Sequence, residues 1–253
     1  AALLDGGQKA WEAEGRPTSD ERSAPPAPGA LTPSPRPSLI ADRDEVLAAI
    51  DDGAVCLIEA LEDTDGRLRG FVAEYDAAGR FIRCSRLETV FRKGNKGFEG
   101  LTHWRRGGAE YLLALREDNH GARARTSGAR IDVFTRSTEG DWKPSHRIRL
   151  PEKAEFEDYA AISYRDGRLA VVSQKSARLF VARVDEDARR LAPGSEAVYR
   201  FPKRSYGNVE GIAWLSDDTL VAVSDRKKAR QPGRCAAKDQ SIHVFRIPGD
   251  ASR

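Results

Sequence analysis

Apolar positions along this chain keep two different periods, and the change falls near residue 55. Before it the spacing is helical. In "KAWEAEG", Ala10, Trp11 and Ala13 fall on helical spacing, and Gly15 supplies a left-handed C-cap. In "LIADRDEVLAAIDDG", Asp42 or Asp44 can cap a second helix, Val46, Leu47 and Ile50 form its apolar stripe, and Gly53 ends it. Between the two lie seven of the thirteen prolines, from Pro17 to Pro37, which predict an extended linker. From Val55 onward the pattern alternates instead. Short runs rich in Val, Ile, Phe and Tyr are separated by turn signals at Asp65-Gly66, Gly107-Gly108, Asp166-Gly167 and Asp217-Asp218. The expected segments are a strand end plus helix over 1–16, a linker over 17–38, a helix over 39–54 and β structure over 55–253.

The β runs repeat. "GFEGLTHWRRGGAEYLLALRED", "EFEDYAAISYRDGRLAVVSQ" and "NVEGIAWLSDDTLVAVSD" each begin apolar-Glu, continue as a strand, turn, and return as a more apolar strand. Glu99, Glu157 and Glu210 occupy the corresponding position, 58 and 53 residues apart. A third strand follows each hairpin ("RIDVFTRS", "RLFVARVD", "SIHVFRIP"), and a fourth follows in the first two repeats ("HRIRLP", "AVYRFP"). Four consecutive antiparallel strands at such a period are the signature of β-propeller blades. An earlier, partial repeat supplies a second, third and fourth strand in "VCLIEAL", "RGFVAEYD" and "RFIRCSRL". The fold class expected is therefore mainly β: a partial propeller of about four blades, two of them incomplete, after a short helical, proline-linked fragment.

Composition excludes more than it assigns. The 42 basic and 39 acidic residues leave a net charge of +3, which does not call for nucleic acid or an anionic membrane. No apolar run approaches the roughly 18–20 residues of a transmembrane helix. Cys56, Cys84 and Cys235 are odd in number and far apart, so neither a disulfide framework nor a zinc site is signalled. His103, His120, His146 and His243 share no metal-ligand spacing. The chain contains no methionine, and it starts at what reads as a strand end, which points to an N-terminal truncation and leaves localisation unread.

The opening "LDGG", the Trp and the Gly-x-Pro that follows resemble the rhodanese family, and "PAPGALTPSPRPSLIADRDEVLAAI" resembles the linker and first helix of a second domain in tandem sulfurtransferases. This resemblance covers about residues 1–55 and implies a cytoplasmic setting. It stops before the family's nucleophile. Such a cysteine needs a helix N-terminus or neighbouring cations, and access. Cys56 lies inside a β run, Cys84 is followed by Ser-Arg-Leu, and Cys235, beside Arg234, has no following helix. Sulfurtransferase activity is therefore expected to be absent.

The region from Val55 onward resembles bacterial six-bladed propellers of the esterase-like/phytase-like group, with kinship to SdiA-regulated propellers. The residues that carry this are "NKGFEGLTH", "YLLALRED" and "YGNVEGIAWLSDDTLVAVSDR". A six-bladed ring has roughly 24 strands, of which this chain supplies about 14. The resemblance implies a phosphoesterase or a ligand-binding scaffold in a periplasmic or secreted setting. On the residues, Glu99, Glu157 and Glu210 would converge at a central channel, with Asp158 and Asn208 beside two of them. A hard cation such as Ca²⁺ would relieve their repulsion. The loop "DRKKARQPGR", with Arg226, Lys227, Lys228, Arg230 and Arg234, would attract a phosphorylated small molecule. The readings left open are this one, a sulfurtransferase relative lacking its cysteine loop, and a non-catalytic interaction propeller. Open sheet edges and uncovered strands such as "VCLIEAL" and "TLVAVS" would favour self-association.

Overall fold

From Ala54 onward the alternating runs become strands, fourteen of them among the described residues. The computed structural model describes residues 54–76, 80–91, 97–116, 130–151, 154, 156–185, 189–201, 208–236 and 240–247. The helices and linker expected over 1–53 lie outside these residues. The chain divides into Ala1–Asp52 and Gly53–Arg253, and the second unit is described by itself.

Its strands form four antiparallel sheets in chain order. The first holds β1 (Ala54–Glu62), β2 (Leu68–Tyr75) and β3 (Phe81–Phe91). The second holds β4 (Phe98–Arg106), β5 (Ala109–Arg116), β6 (Arg130–Arg136) and β7 (Trp142–Arg149). The third holds β8 (Ala161–Arg165), β9 (Arg168–Ser173), β10 (Arg178–Arg183) and β11 (Ala197–Arg200). The fourth holds β12 (Val209–Trp214), β13 (Thr219–Ser224) and β14 (Ile242–Arg246). Each sheet is a meander with its strands in sequence order. The leading strands β4, β8 and β12 lie side by side, and β3 lies against β7, the outermost strand of the next sheet. This is the arrangement of successive propeller blades, two complete and two of three strands.

Turn chemistry sets the hairpins. Gly107 and Gly108 (φ 55° and 81°) and Asp166 and Gly167 (φ 47° and 82°) form two-residue turns with both central residues left-handed. That geometry matches the twist of the flanking strands.

The second strand of each complete sheet reads as a continuous apolar run because both of its faces are covered. Leu112 and Ala114 of β5 pack toward the first sheet with Val72, Leu87, Phe98 and Trp142. Leu113 and Leu115, one residue out of phase, pack toward the third with Ile162, Leu169 and Phe180. In β9 the same split sends Leu169 and Val171 one way, and Ala170 and Val172 toward Val209, Trp214 and Leu220 of the fourth sheet. Deleting a side chain as buried as Leu113 costs about 2–5 kcal/mol.

A polar clamp adds to the junction of the first two sheets. Buried Glu74 of β2 accepts from Arg136 (2.7 Å), from the Trp142 indole N–H (3.1 Å) and from Arg83 (2.9 Å). Arg136 also pairs with Glu110 and lies over the Trp142 ring.

The repeated Phe-Glu-Gly and Val-Glu-Gly have a local structural meaning. Phe98 pairs with Arg116 and Gly100 with Leu115, and Val209 pairs with Ser224 and Gly211 with Val223. Glu99 and Glu210 are thus the extra residues of β-bulges at the heads of β4 and β12. Gly100 is there for space: a Cβ would stand 3.0 Å from the Ile162 backbone nitrogen and 3.1 Å from its Cγ2.

Exposed apolar residues gather on the terminal sheets: Phe81 (60%), Ile82 and Val90 on β3, and Ile242 (74%) and Val244 on β14. In "TLVAVS", expected to be bare, Val221 and Val223 are half-buried instead, and Leu220 and Ala222 are buried. Side chains of "VCLIEAL" lie outside the described residues.

Gly100→Ala should lower stability by about 1–3 kcal/mol, because backbone rather than a flexible side chain must give way. Urea unfolding checks this; an unchanged midpoint would show that β4 and β8 are not packed this closely.

Candidate functional site

In every sheet the leading strand starts, and the second strand ends, at the same end. At this end the third and fourth sheets carry two sets of polar contacts. Asp158, three residues before β8, is buried at 5% exposure. Its Oδ1 accepts from the Ser173 hydroxyl (2.6 Å) and the Lys175 N–H (3.0 Å). Ser173 closes β9, and its Oγ also accepts from the Ser176 N–H (3.2 Å). Among the described residues, Oδ2 of Asp158 is buried without a hydrogen-bond partner. Burial pushes this carboxyl above the usual carboxylate range. The bonds from Ser173 and Lys175 and the Lys175 charge oppose the rise, and Glu157 adds to it.

Asn208, one residue before β12, is also buried and takes a left-handed conformation (φ 56°), which Asn tolerates better than most residues. Its Nδ2 donates to the Arg226 carbonyl (3.2 Å), and its carbonyl accepts the Asp225 N–H (3.0 Å). The Gln231 side-chain amide donates to Asn208 Oδ1 and approaches Gln174 Oε1 at 3.4 Å. Its own Oε1 accepts the Lys228 N–H (2.7 Å). Gln231 thereby pins the basic loop after β13 to both sheets. The loop includes a short 3₁₀ turn, Gly233–Ala236, in which Cys235 is buried.

The residues singled out from the sequence fall as follows. Arg226, Lys228 and Arg230 are exposed and Lys227 half-buried, all on the pinned loop. Glu99 and Glu157 are exposed and Glu210 half-buried. The Glu157 N–H donates to Ser176 Oγ (2.8 Å). The structure does not gather the three glutamates as a ligand set: among the described residues, no group of three or more His, Cys, Asp or Glu is placed to hold a metal ion. Two of them, Glu99 and Glu210, are bulge residues. Cys235, the cysteine with the most favourable neighbouring charges, is buried, so the access a nucleophile needs is missing. His243 is buried with Nε2 3.2 Å from Ser224 Oγ, a pairing between adjacent strands.

Gln231, Gln174, Ser173 and Lys175 were not signalled by the sequence. Asn208 and Gln174, the partners of Gln231 across the sheets, are 23 and 57 residues away, and no spacing rule connects them. Asp158 and Asn208 did carry a signal, as polar residues beside Glu157 and Glu210.

No protein-family model matches the chain, and no curated protein sequence does. Among solved structures, it is similar to glutaminyl cyclase of Myxococcus xanthus (12% identity, TM-score 0.35, 68% of each chain). It is similar to the GH43_1 enzyme of Xanthomonas citri complexed with xylose (14% identity, TM-score 0.44, 79% of this chain and 68% of that one). A third is a protein of Bacteroides uniformis described as a candidate 6-phosphogluconolactonase (11% identity, TM-score 0.44, 79% of this chain). The chain spans about half the length of that protein, 51%. None of these matches is a rhodanese, and the stretch that resembles that family falls almost wholly outside the described residues.

Asp158→Asn should separate burial from charge. A carboxyl raised above its unfolded value of 3.8 keeps its proton longer in the native state. Its contribution to stability is therefore greatest below the unfolded value and declines as pH rises through the folded one. Melting temperatures at pH 4 and pH 7 should show the variant gaining on the parent as pH rises; a constant difference would mean that Asp158 titrates normally.

Proposed function

We propose that this chain provides a propeller segment that binds a phosphorylated small molecule at the end of its third and fourth sheets. The 225–236 loop takes the phosphate. The observation that supports this reading is the pinning of that loop by Gln231. A cationic hairpin tip normally loses conformational freedom when it closes on an anion. Here Asn208 and Gln174 hold the backbone in place beforehand, which lowers the ordering cost of binding. Arg226, Lys228 and Arg230 then offer charge-assisted hydrogen bonds from one short segment.

Phosphoester hydrolysis is the finer reading, and Asp158 favours it. A carboxyl whose pKa burial raises is suited to donate its proton to the leaving ester oxygen as water attacks the phosphorus. The loop would bind and orient the phosphate, and the Ser173 and Lys175 contacts would hold the carboxyl in position.

Titration calorimetry with glycerol 2-phosphate at low ionic strength should show binding. Combining Arg226→Gln, Lys228→Gln and Arg230→Gln should weaken it at least tenfold. Gln231→Ala should weaken it about 3–10-fold, the equivalent of ordering one or two side chains. Absence of binding, or indifference to the triple variant, would sink the proposal. If the ester is hydrolysed, Asp158→Asn should remove turnover and leave affinity in place; full turnover in that variant would remove Asp158 from the chemistry.

A further inference from the structure

A second basic feature lies away from the pinned loop. The end of β7 and the segment that follows it face the connection between β10 and β11 across a groove of about 440 Å³. Arg147, Arg149, Arg189 and Arg190 line it, against Glu196 as the acidic residue.

The groove is built on fixed elements. Ile148 and Leu150 on its β7 side are buried members of the core between the second and third sheets, and Leu191 packs on that same core. Leu191 is bridged to Val184, and the Ala192 N–H donates to the Arg183 carbonyl at 2.8 Å. Oδ1 of Asp185 accepts the backbone N–H groups of Arg189 (2.7 Å) and Arg190 (3.2 Å), which holds the backbone at these two arginines. Two guanidinium groups are backed by carboxylates: Arg147 donates to buried Asp132 at 2.8 Å, and Arg190 stands 3.4 Å from Asp185. Each keeps donors beyond those its carboxylate takes, since a guanidinium carries five. Arg149 is exposed and has no ion-pair partner among the described residues.

We propose that this groove is an anion site for a small ligand with two or more phosphate groups on an organic frame. Guanidinium forks match phosphate oxygens in pairs, and several around one groove favour a ligand whose charges are spread. A volume near 440 Å³ lies within the range of small-molecule sites. Half-buried Pro151 and Leu191 supply apolar contact for the frame. The site is independent of the loop after β13, which belongs to the fourth sheet.

The probe is pyrophosphate, titrated calorimetrically into the full chain at low ionic strength. Arg149→Gln with Arg190→Gln should weaken binding at least tenfold, whereas the triple variant of Arg226, Lys228 and Arg230 should leave it within twofold. Arg149→Lys with Arg190→Lys keeps the charge and loses the forks, and should fall between the double variant and the parent. Equal melting temperatures for parent and variants confirm that folding is not the cause. No binding at millimolar pyrophosphate overturns the proposal. So does binding that survives the groove variant and is lost in the loop variant, since the phosphate would then belong to the loop alone.

Discussion

Everything in the described part of this molecule depends on two strands with no solvent side. In β5 and β9 the two-residue period of a strand divides consecutive apolar side chains between a core in front and a core behind. Each second strand is therefore shared property of two sheet junctions, and neither junction can be repacked without disturbing the other. Interiors of this density respond to a change of a single methylene. Hence the surrounding pieces are adjusted to fit: glycine where β4 meets the backbone of β8, and a buried carboxylate that gathers Arg136, Arg83 and the Trp142 indole between the first two sheets.

The polar chemistry is confined to places the strands leave over. At one end of the third and fourth sheets, leading strands begin and second strands finish, so part of the backbone there lies beyond the ladders. Side chains bond to it instead. Asp158 accepts from the turn after β9, and the Asn208 side chain donates to the Arg226 carbonyl just after β13. Groups recruited to satisfy backbone in this way are held rigidly. Rigid polar groups beside cationic residues are what anion recognition requires.

Much of the fold was legible because it rests on local rules repeated several times. Alternation placed the strands, paired glycines and Asp-Gly placed the tight turns, and the recurrence of apolar-Glu marked the head of each blade. The recurrence was visible, but its meaning was not. Glu99 and Glu210 read as convergent ligands, since the sequence shows only that a residue type returns, and not that each sits where the strand gains an extra residue. The basic loop was visible as charge. Its fixation was not, because Gln231, Asn208 and Gln174 come from three separate stretches and meet only after two sheets have packed. The arginine groove was hidden for the same reason: Arg147 and Arg190 belong to different sheets.

The bulges at the heads of β4 and β12 also bear on how such a chain can change over generations. A residue inserted into a ladder without a cross-strand partner carries little of the pairing energy, so its side chain can be exchanged while the register on either side is kept. What the ladder registers at such a position is the extra peptide unit rather than the carboxylate. Glu99 and Glu210 thus mark positions at the heads of β4 and β12 where a change of residue leaves the strand register as it is. The leucines and valines of β5 and β9 allow no comparable freedom.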